Sequence, residues 1–550
     1  MRKARSNNPG SFELVRNPPF DKLMALSNVE GQSAIRNPVG ERVAILDLGS
    51  QYTQLIARRV RELGVYCEIV RHTTSARALA ARGDSAIILS GGPASVTRKG
   101  SPSCDRRIFS LGVPVLGICY GMQLMAKLLG GRVLSSSERE YGRTPLRIKD
   151  KRSLFYGLPG KLTVWMSHGD LVEKLPRHFA AIADSENTRF AAMADEKRKL
   201  YGLQFHPEVV HTTKGTEILR NFLFRIARCR GEWSMSSFVQ TSIADLRRTV
   251  GSERVLCAVS GGVDSSVLAT LVHKAVGDQL TCLFINNGLL RKHETEEVKG
   301  VFRNRLGIKL RYVNASNDFL RRLAGVGDPE RKRRIIGTTF IRVFEREAKR
   351  LGEFKFLAQG TLYPDVIESR SPIGGPSATI KTHHNVGGLP KRMKFKLVEP
   401  FRFLFKDEVR AIGKELGLPE SVIWRHPFPG PGLAVRVVGP VSRARLRPLR
   451  EADAIVREEL ARAGLQRKIW QALAVILPVK AVGVMGDERT YANAIAVRAV
   501  TSRDAMTADW ARIPHPVMAT IASRIINEVK GVNRVLYDVS TKPPGTIEWE

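Results

Sequence analysis

The feature that most limits the fold is a repeated pair of segments, a short apolar run followed by a stretch with helical spacing. The first pair is RVAILDL, at residues 42–48, and residues 51–63, in which apolar side chains recur on one helical face. Further apolar runs follow at 85–93 and 113–118. Buried strands that alternate with helices are typical of a sheet covered by helices on both faces. The sequence therefore predicts an α/β fold.

The chain is also expected to divide into several domains. At 550 residues, and with roughly 100–200 residues per domain, about three domains are predicted. A second strand–helix series starts after Trp233, and the Pro/Gly-dense stretch HPFPGPG breaks any regular element. We therefore expect four parts: a flexible extension at 1–40, an α/β unit at 41–232, a second one at 233–426, and a domain of mixed helices and strands at 427–550.

Composition limits the class of protein and its surroundings. No apolar run reaches the roughly 18 residues that a spanning helix needs, and no apolar segment follows the basic N-terminus. Six cysteines without CxxC spacing argue against a disulfide framework or a zinc site and fit a reducing cytoplasm. The net charge of +35 would attract anions such as nucleotides, although a solvated basic surface explains it equally well.

One cysteine lies between an apolar run and a helix. Cys119 is in GICYG, where Gly117 and Gly121 permit a sharp turn that a Cβ would obstruct. At a helix N-terminus, unpaired N–H groups and the helix dipole favour a thiolate. Backbone amides of Gly91 and Tyr120 are candidates for binding an oxyanion. The pattern predicts a cysteine nucleophile, and the alternative is a small buried hydrophobic side chain.

A cysteine nucleophile needs a proton carrier, and residues 201–211 supply a candidate. This strand-like run contains His206 and Glu208, which are two residues apart and should therefore face the same side. Glu208 can then orient the imidazole of His206 while the ring transfers a proton.

A second glycine-rich turn, SGGVDSS, follows the apolar run 255–259 and opens a helix. Its backbone N–H groups and the helix dipole suit phosphate. No G-x-x-x-x-G-K-[ST] occurs, so this is not a Walker A loop. The candidate ATP-binding residues are Ser260, Gly261, Gly262, Val263, Asp264, Ser265 and Ser266. Asp264 can also organise Mg²⁺ around pyrophosphate, with a structural cap as the alternative.

These motifs resemble two known families. SGGPAS, GICYGMQ and FHPEV, in this order and spacing, resemble class I glutamine amidotransferases, whose Cys-His-Glu triad falls on Cys119, His206 and Glu208. SGGVDS resembles the pyrophosphate loop of N-type ATP pyrophosphatases, which adenylate an oxygen. Together they imply two α/β domains, a glutaminase that releases ammonia through a glutamyl thioester, and a site that uses ATP with Mg²⁺ and no prosthetic group.

The acceptor is indicated by longer stretches. From about residue 42 to 550 the chain is similar to the bacterial-type GMP synthetase family, notably in DPERKRRIIG, LAQGTLYPDVIES, KTHHNVGGLP and KPPGTIEWE. This resemblance implies amination of xanthosine monophosphate (XMP) through adenyl-XMP, which gives GMP, AMP and pyrophosphate. The family's XMP contacts fall on Arg333, Lys381, Lys542 and Glu548, with Lys381 in a lid. A C-terminal α+β dimerisation domain and a homodimer are also implied.

Two positions depart from that family. Asn286 stands where an acidic residue is expected, and Glu488 stands where glycine is usual. Two other hypotheses stay open at this point. One is an amidotransferase with another adenylated acceptor, such as NAD synthetase or a thiolation-type tRNA-modifying enzyme. The other is a basic nucleic-acid-binding protein, which depends only on the charge of +35.

Overall fold

A computed structural model gives the fold, and it describes residues 41–50, 52–368, 395–485, 488–502 and 507–550. The predicted extension at 1–40 and the candidate Lys381 lie outside these ranges. The described residues form three separate sheets of nine, five and four strands. No helix among them is both long and apolar enough to span a bilayer.

The first sheet has nine strands in the order β2-β1-β3-β4-β9-β8-β7-β5-β6. The strands are β1 (Val43–Asp47), β2 (Cys67–Arg71), β3 (Ala86–Leu89), β4 (Val115–Ile118), β5 (Arg132–Ile148), β6 (Lys161–Lys174), β7 (Ala180–Asp184), β8 (Ala192–Asp195) and β9 (Leu200–Leu203). The helices are α1 (Thr53–Glu62), α2 (Ala76–Arg82), α3 (Tyr120–Leu128) and α4 (Gly215–Arg220). Strands β1 to β4 and β9 pair in parallel, and the remaining pairs are antiparallel.

Burial explains why the parallel part of this sheet forms from uninterrupted apolar runs. Strands β3, β4 and β9 are buried at every residue, as strands covered on both faces must be. Strand β6 instead alternates buried and more exposed residues, since one of its faces is uncovered. The predicted strands and helices of this unit are present, with one difference. Strand β9 ends at Leu203, so His206 and Glu208 follow the strand in a turn rather than lying within it.

The second sheet is entirely parallel, in the order β12-β11-β10-β13-β14. Its strands are β10 (Val255–Ala258), β11 (Leu280–Asn286), β12 (Leu310–Asn314), β13 (Phe356–Ala358) and β14 (Lys396–Val398). Its helices are α5 (Met235–Val250), α6 (Val263–Val276), α7 (Glu294–Gly300), α8 (Ser316–Leu323), α9 (Pro329–Arg350), α10 (Tyr363–Glu368), α11 (Lys406–Glu415) and α12 (Glu420–Ile423). The strand order reverses beside β10, and a crevice at such a switch point is the usual ligand site of an open α/β sheet.

The third sheet contains β15 (Gln471–Met485), β16 (Glu488–Thr501), β17 (Asp509–Trp510) and β18 (Val532–Asp538). Helices α13 (Arg443–Arg462) and α14 (His515–Glu528) accompany it. Strand β16 pairs antiparallel with β15 and β17 and parallel with β18. Residues 426–431 carry no helix or strand, as their Pro/Gly content predicts. Helix α13 begins at Arg443, because the Ser442 side chain caps it by accepting from Arg445 N.

The first two units meet at a buried ionic contact. Arg61 of α1 donates to the carboxylate of Glu408 in α11 at 3.0 Å, and Trp233 donates to the same carboxylate at 2.8 Å. The Arg61 guanidinium also lies over the rings of Tyr66 and Trp233, at 4.1 and 4.7 Å. The contact joins elements that are more than 300 residues apart in the chain.

Two candidate active sites

The first candidate site is a strained turn between β4 and α3. Cys119 has φ 51° and ψ −105°, a conformation that costs a non-glycine residue free energy and is typical of functional sites. A Cβ on Gly117 would lie 2.6 Å from the backbone carbon of Gly121, and one on Gly121 would lie 2.5 Å from the Leu89 oxygen. The predicted need for glycine on both sides of Cys119 is therefore confirmed.

The thiol of Cys119 is almost completely buried. The residue is 6% exposed, and its Sγ lies 3.8 Å from the main-chain oxygen of Ser167. The side-chain amide of Gln204 approaches Sγ from another side, also at 3.8 Å. Such an environment excludes most water while a polar donor stays beside the sulfur.

His206 and Glu208 form a tight buried pair beside this thiol. His206 Nδ1 lies 2.7 Å from Glu208 Oε1, and Glu208 is 1% exposed. Arg59 of α1 donates to the main-chain oxygen of Glu208 at 3.0 Å, and the ring of Tyr52 meets the imidazole edge-on at 5.3 Å. These contacts lock the turn after β9, so the pair forms although neither residue lies in a strand.

The electrostatics of the pair favour a charged imidazole. Burial lowers the pKa of His206, but Glu208 and then Cys119 raise it by more, so the pKa is well above its ordinary value. Since Glu208 occupies Nδ1, the other ring nitrogen is available to face the sulfur. The arrangement can hold a proton between the thiol and a bound substrate.

Both predicted oxyanion donors lie at this site. Gly91 follows β3, and a Cβ placed on it would be 3.2 Å from Cε1 of His206, so its backbone borders the imidazole. Tyr120 is the first residue of α3, where backbone N–H groups have no partner within the helix. The Tyr120 hydroxyl is used elsewhere, because it donates to the Pro102 oxygen at 2.6 Å.

Further polar residues at this site come from α3 and from the stretch MSHGD, residues 166–170. Gln123 of α3 donates to the Asp170 main-chain oxygen at 2.8 Å and to Gln204 at 3.2 Å. Asp170 accepts from Ser135 through Oδ1, whereas its Oδ2 is buried with no hydrogen-bond partner among the described residues. His168 lies 3.3 Å from the buried Glu140. The sequence could signal His168 and Asp170 by that motif, but it gave no sign of Gln123.

The second candidate site is the turn between β10 and α6. Gly261 has φ +77°, which glycine adopts without cost, and Gly262 precedes the first helical residue, Val263. Ser265 and Ser266 each donate to the Gly262 oxygen, at 3.1 and 2.9 Å, so the turn is braced by its own hydroxyls. The loop sits at the carboxyl end of β10, at the switch point, as a phosphate loop requires.

Charged residues from distant segments complete this loop. Asp264, in the first turn of α6, pairs with Lys406 of α11 at 3.3 Å, and its Oδ1 is buried without a hydrogen-bond partner among the described residues. Arg425 donates to the Gly261 oxygen at 2.9 Å. Sequence patterns could not identify Lys406 or Arg425, because both are more than 140 residues from the loop.

Three of the four candidate XMP contacts are among the described residues, one in α9 and two in the C-terminal segment. Arg333 of α9 donates to the Glu550 main-chain oxygen and pairs with Glu330 at 3.3 Å. Glu548 accepts from the fully buried Arg436 at 3.1 and 2.9 Å. Lys542 pairs its backbone with Ala508. Next to Arg333, the buried Lys332 donates to Glu550 and to two carbonyls, a contact that the sequence did not reveal.

The structure describes both positions that depart from the family, Asn286 and Glu488. The side-chain oxygen of Asn286 accepts from Gly288 N at 2.8 Å, and its amide donates to the Tyr312 hydroxyl at 3.2 Å. Asn286 thus closes a local turn that an acidic residue could also close. Glu488 is the first residue of β16 and lies opposite Met485, in the extended backbone of a strand.

Comparisons with known proteins assign families to three parts of the chain. The profile of the family "Glutamine amidotransferase class-I" matches residues 44–226, "tRNA methyl transferase HUP domain" matches 253–324, and "GMP synthase C terminal domain" matches 458–549. A protein of Carboxydothermus hydrogenoformans named "GMP synthase [glutamine-hydrolyzing]" is 56% identical over 512 residues, which cover 93% of this chain and 100% of that protein. A protein of the same name from Syntrophomonas wolfei is 57% identical over 510 residues and covers 93% of this chain and 99% of its own.

One solved structure adds a partial likeness. It is titled a "putative gmp synthase subunit a protein", from Thermoplasma acidophilum, and is 32% identical to the matched part. The match covers 34% of this chain and 93% of that one, with a TM-score of 0.31.

Proposed function

The chain belongs to the family of glutamine-hydrolysing GMP synthases, and we propose that it aminates XMP to GMP with ammonia released from glutamine and with consumption of ATP. The other products are AMP, pyrophosphate and glutamate. The observation that carries the proposal is the presence, in one chain, of a buried Cys119–His206–Glu208 arrangement and a phosphate loop at a switch point. Family membership favours XMP over the acceptors of NAD synthetase or of tRNA thiolation.

Cys119, His206 and Glu208 are the proposed catalytic residues of glutamine hydrolysis. The thiolate attacks the side-chain amide carbon of glutamine, and the N–H groups of Gly91 and Tyr120 stabilise the oxyanion. His206, held by Glu208, gives its proton to the departing nitrogen, so that ammonia leaves and a glutamyl thioester stays on sulfur. Water then attacks the thioester, His206 takes a proton from that water, and glutamate is released.

Asp170 is the proposed acceptor for the α-ammonium group of glutamine. Its orphan Oδ2 is buried, and a buried carboxylate oxygen without a partner is costly unless a cation meets it. Asp170 is connected to the thiol by hydrogen bonds, since Gln123 contacts the Asp170 backbone and Gln204, and Gln204 approaches Cys119. We place His168, paired with Glu140, behind this pocket in a supporting position.

Residues 260–266 are the proposed ATP-binding loop. The 2-oxygen of XMP attacks the α-phosphorus of ATP, and pyrophosphate leaves while the N–H groups of the loop bind it. Ammonia then attacks C2 and displaces AMP. Mg²⁺ enters with ATP, and Asp264 fits it because its buried Oδ1 has no hydrogen-bond partner among the described residues. The ion would be held by Asp264 and the phosphates, where it would offset the charge of the leaving pyrophosphate.

Arg333, Lys542 and Glu548 are the proposed XMP contacts, and Lys381, outside the described residues, is proposed for the lid. Arg333 suits the phosphate, which would replace its present contact with the Glu550 main-chain oxygen. The two bonds from Arg436 hold the Glu548 carboxylate in one orientation, from which it can accept a donor of the purine or ribose.

We propose domain limits of 41–232, 233–426 and 427–550 behind an extension at 1–40, and a homodimer formed by the third sheet. Large apolar side chains are exposed on neighbouring strands of this sheet: Val482 is 42% exposed, Val484 75%, Tyr491 61% and Leu536 43%. A group of large apolar side chains exposed side by side is typical of a surface that another protein covers. The proposed compartment is the cytoplasm, where the six free cysteines would stay reduced.

Substitution of Cys119 by alanine tests the proposed function. Purified wild-type protein should form GMP from XMP and Mg·ATP with either glutamine or ammonia. Cys119→Ala should lose the glutamine-dependent reaction and keep the ammonia-dependent one, because the loop at 260–266 is a separate site. Loss of both reactions would show that Cys119 is structural. AMP release with another acceptor, but none with XMP, would refute the proposed substrate.

A further inference from the structure

A cavity of about 710 Å³ lies between helix α7 of the second unit and helix α13 of the third. Its wall also includes the short π-helix Val301–Arg305, helix α12 and the segment around Arg425. It meets the ATP loop only at Gly261 and Ser266. Asp264 and its partner Lys406 are not part of the wall, so the cavity adjoins the loop without including the proposed Mg²⁺ position.

The wall carries five arginine and lysine side chains, which are Arg291, Lys292, Arg305, Arg425 and Arg457. Carboxylates pair with four of them: Glu451 with Lys292, Glu294 and Glu297 with Arg425, and Asp453 with both Arg291 and Arg457. Burial lowers the pKa of His426, so this histidine of the wall adds no charge at neutral pH. Because Arg291 and Arg457 share the single buried carboxylate of Asp453, these two guanidinium groups keep an excess of positive charge that favours an anion.

Arg291 is the buried residue of the wall whose hydrogen-bond donors are least used. The residue is 4% exposed, and its Nε and Nη2 atoms are buried without a hydrogen-bond partner among the described residues. Its contacts are an ion pair with Asp453 at 3.4 Å and the ring of Phe428 at 4.4 Å. A guanidinium carries five N–H donors, and a buried donor without an acceptor costs free energy.

The charge of Arg291 also survives its burial. Burial lowers the pKa of Arg291 to about 10, although Asp453 acts to raise it. The side chain therefore stays protonated at neutral pH. A protonated, buried guanidinium that lines a cavity needs an acceptor with several oxygens, and phosphate groups match the arginine fork.

The remaining wall suits the other part of such a ligand. Val301, Phe302, Val422 and Leu460 supply the apolar part of the wall. Ligand cavities of roughly 300–1,000 Å³ commonly combine an apolar wall with a few charged groups. We propose that this cavity, which adjoins the ATP loop at Gly261 and Ser266, is a second binding site for a phosphate-bearing small molecule.

The site can be tested with full-length protein by calorimetry. Mg²⁺ and α,β-methylene-ATP are titrated first, and this isotherm reports the ATP loop separately. Inorganic pyrophosphate and AMP are then added in parallel experiments, to distinguish an inorganic polyphosphate from a nucleotide. We expect at least one of the two probes to bind with a stoichiometry of one per chain, in addition to the bound α,β-methylene-ATP. Absence of additional binding by both probes would overturn the proposal.

Two variants assign the extra binding to the cavity. A Cβ on Gly300, which lines the cavity, meets no atom within 4 Å, so Gly300→Phe should fill the space without a clash and abolish the extra binding. Arg305→Ala removes an exposed charge of the wall and should weaken it about tenfold. The matched control is Arg311→Ala, an exposed arginine of β12 outside the wall.

The control and the first isotherm distinguish the possible outcomes. All three variants should bind α,β-methylene-ATP as the wild type does, which shows that each one is folded. The control should also keep the extra binding. If Gly300→Phe and Arg305→Ala retain wild-type affinity for the second equivalent, the probe binds elsewhere and the proposal is wrong.

Discussion

Replacing Arg61 by methionine removes a buried guanidinium that joins the glutaminase unit to the ATP-using unit. Arg61 is 5% exposed and donates to Glu408 at 3.0 Å, to the Cys67 oxygen at 2.7 Å and to the Phe403 oxygen at 3.2 Å. Methionine keeps most of the aliphatic stem and its packing, while every one of these polar contacts is lost.

The size of the effect follows from what remains. Removal of one member of a buried ion pair usually costs about 3–5 kcal/mol, because the other charge is left uncompensated. Glu408 still accepts from Trp233 and from Phe405 N, both at 2.8 Å. We therefore expect the lower limit, about 3 kcal/mol, which corresponds to roughly a hundredfold change in the equilibrium that docks the two units.

Two measurements test this prediction. In urea, the first unfolding transition of Arg61→Met should occur earlier than that of the wild type, and a double-mutant cycle with Glu408→Gln should give a coupling of about 1 kcal/mol or more. Glutamine-dependent GMP formation should fall several-fold relative to ammonia-dependent formation, since only the former needs the two units aligned. Arg77→Met, at an exposed position of α2, is the control. An unshifted transition, or an equal fall of both activities, would refute this reasoning.

Three further substitutions address the other sites. Glu208→Gln removes the carboxylate that most raises the pKa of His206, so glutamate release should fall about a hundredfold or more and its alkaline limb should move to lower pH. A raised histidine pKa stabilises the folded state below the ordinary pKa of about 6.5, and this stabilisation is lost as the pH rises through the raised pKa. The variant should therefore lose stability most below about pH 6.5. An alkaline limb that does not move would contradict the proposed role of Glu208. Asp264→Ala should suppress ATP–pyrophosphate exchange and leave glutamate release intact, and an unchanged exchange rate would remove Asp264 from its proposed role. Val484→Asp should shift sedimentation from dimer to monomer, whereas Val210→Asp, 56% exposed in the first unit, should not; a dimer that survives Val484→Asp would place the interface elsewhere.

Local chemistry explains which features were predictable. The turn at Cys119 depends on Gly117 and Gly121, two positions away on each side, and a steric requirement over so few residues is visible in the sequence. The same holds for SGGVDSS, in which Ser265 and Ser266 brace the neighbouring Gly262. Runs buried on both faces also identify parallel strands without knowledge of their partners.

The strand argument for His206 and Glu208 shows where local reasoning failed. The two side chains do meet, at 2.7 Å, but in a turn after Leu203, which Arg59 of another element holds. An apolar run can continue past the end of a strand, because tertiary contacts decide where ladder pairing stops. The pairing was therefore expected for the wrong reason.

The residue types and their local spacing thus specified the α/β class, the nucleophile turn and the phosphate loop, since each depends on neighbours within a few positions. Only the tertiary structure could show Lys406 beside Asp264, and Glu408 beside Arg61. The same holds for the buried Arg291, which lines a cavity with two nitrogens that have no hydrogen-bond partner among the described residues. Each of these depends on the path of a long intervening chain, and the local sequence leaves that path open. A charge acquires its role from the partner that folding brings to it, or from the lack of one.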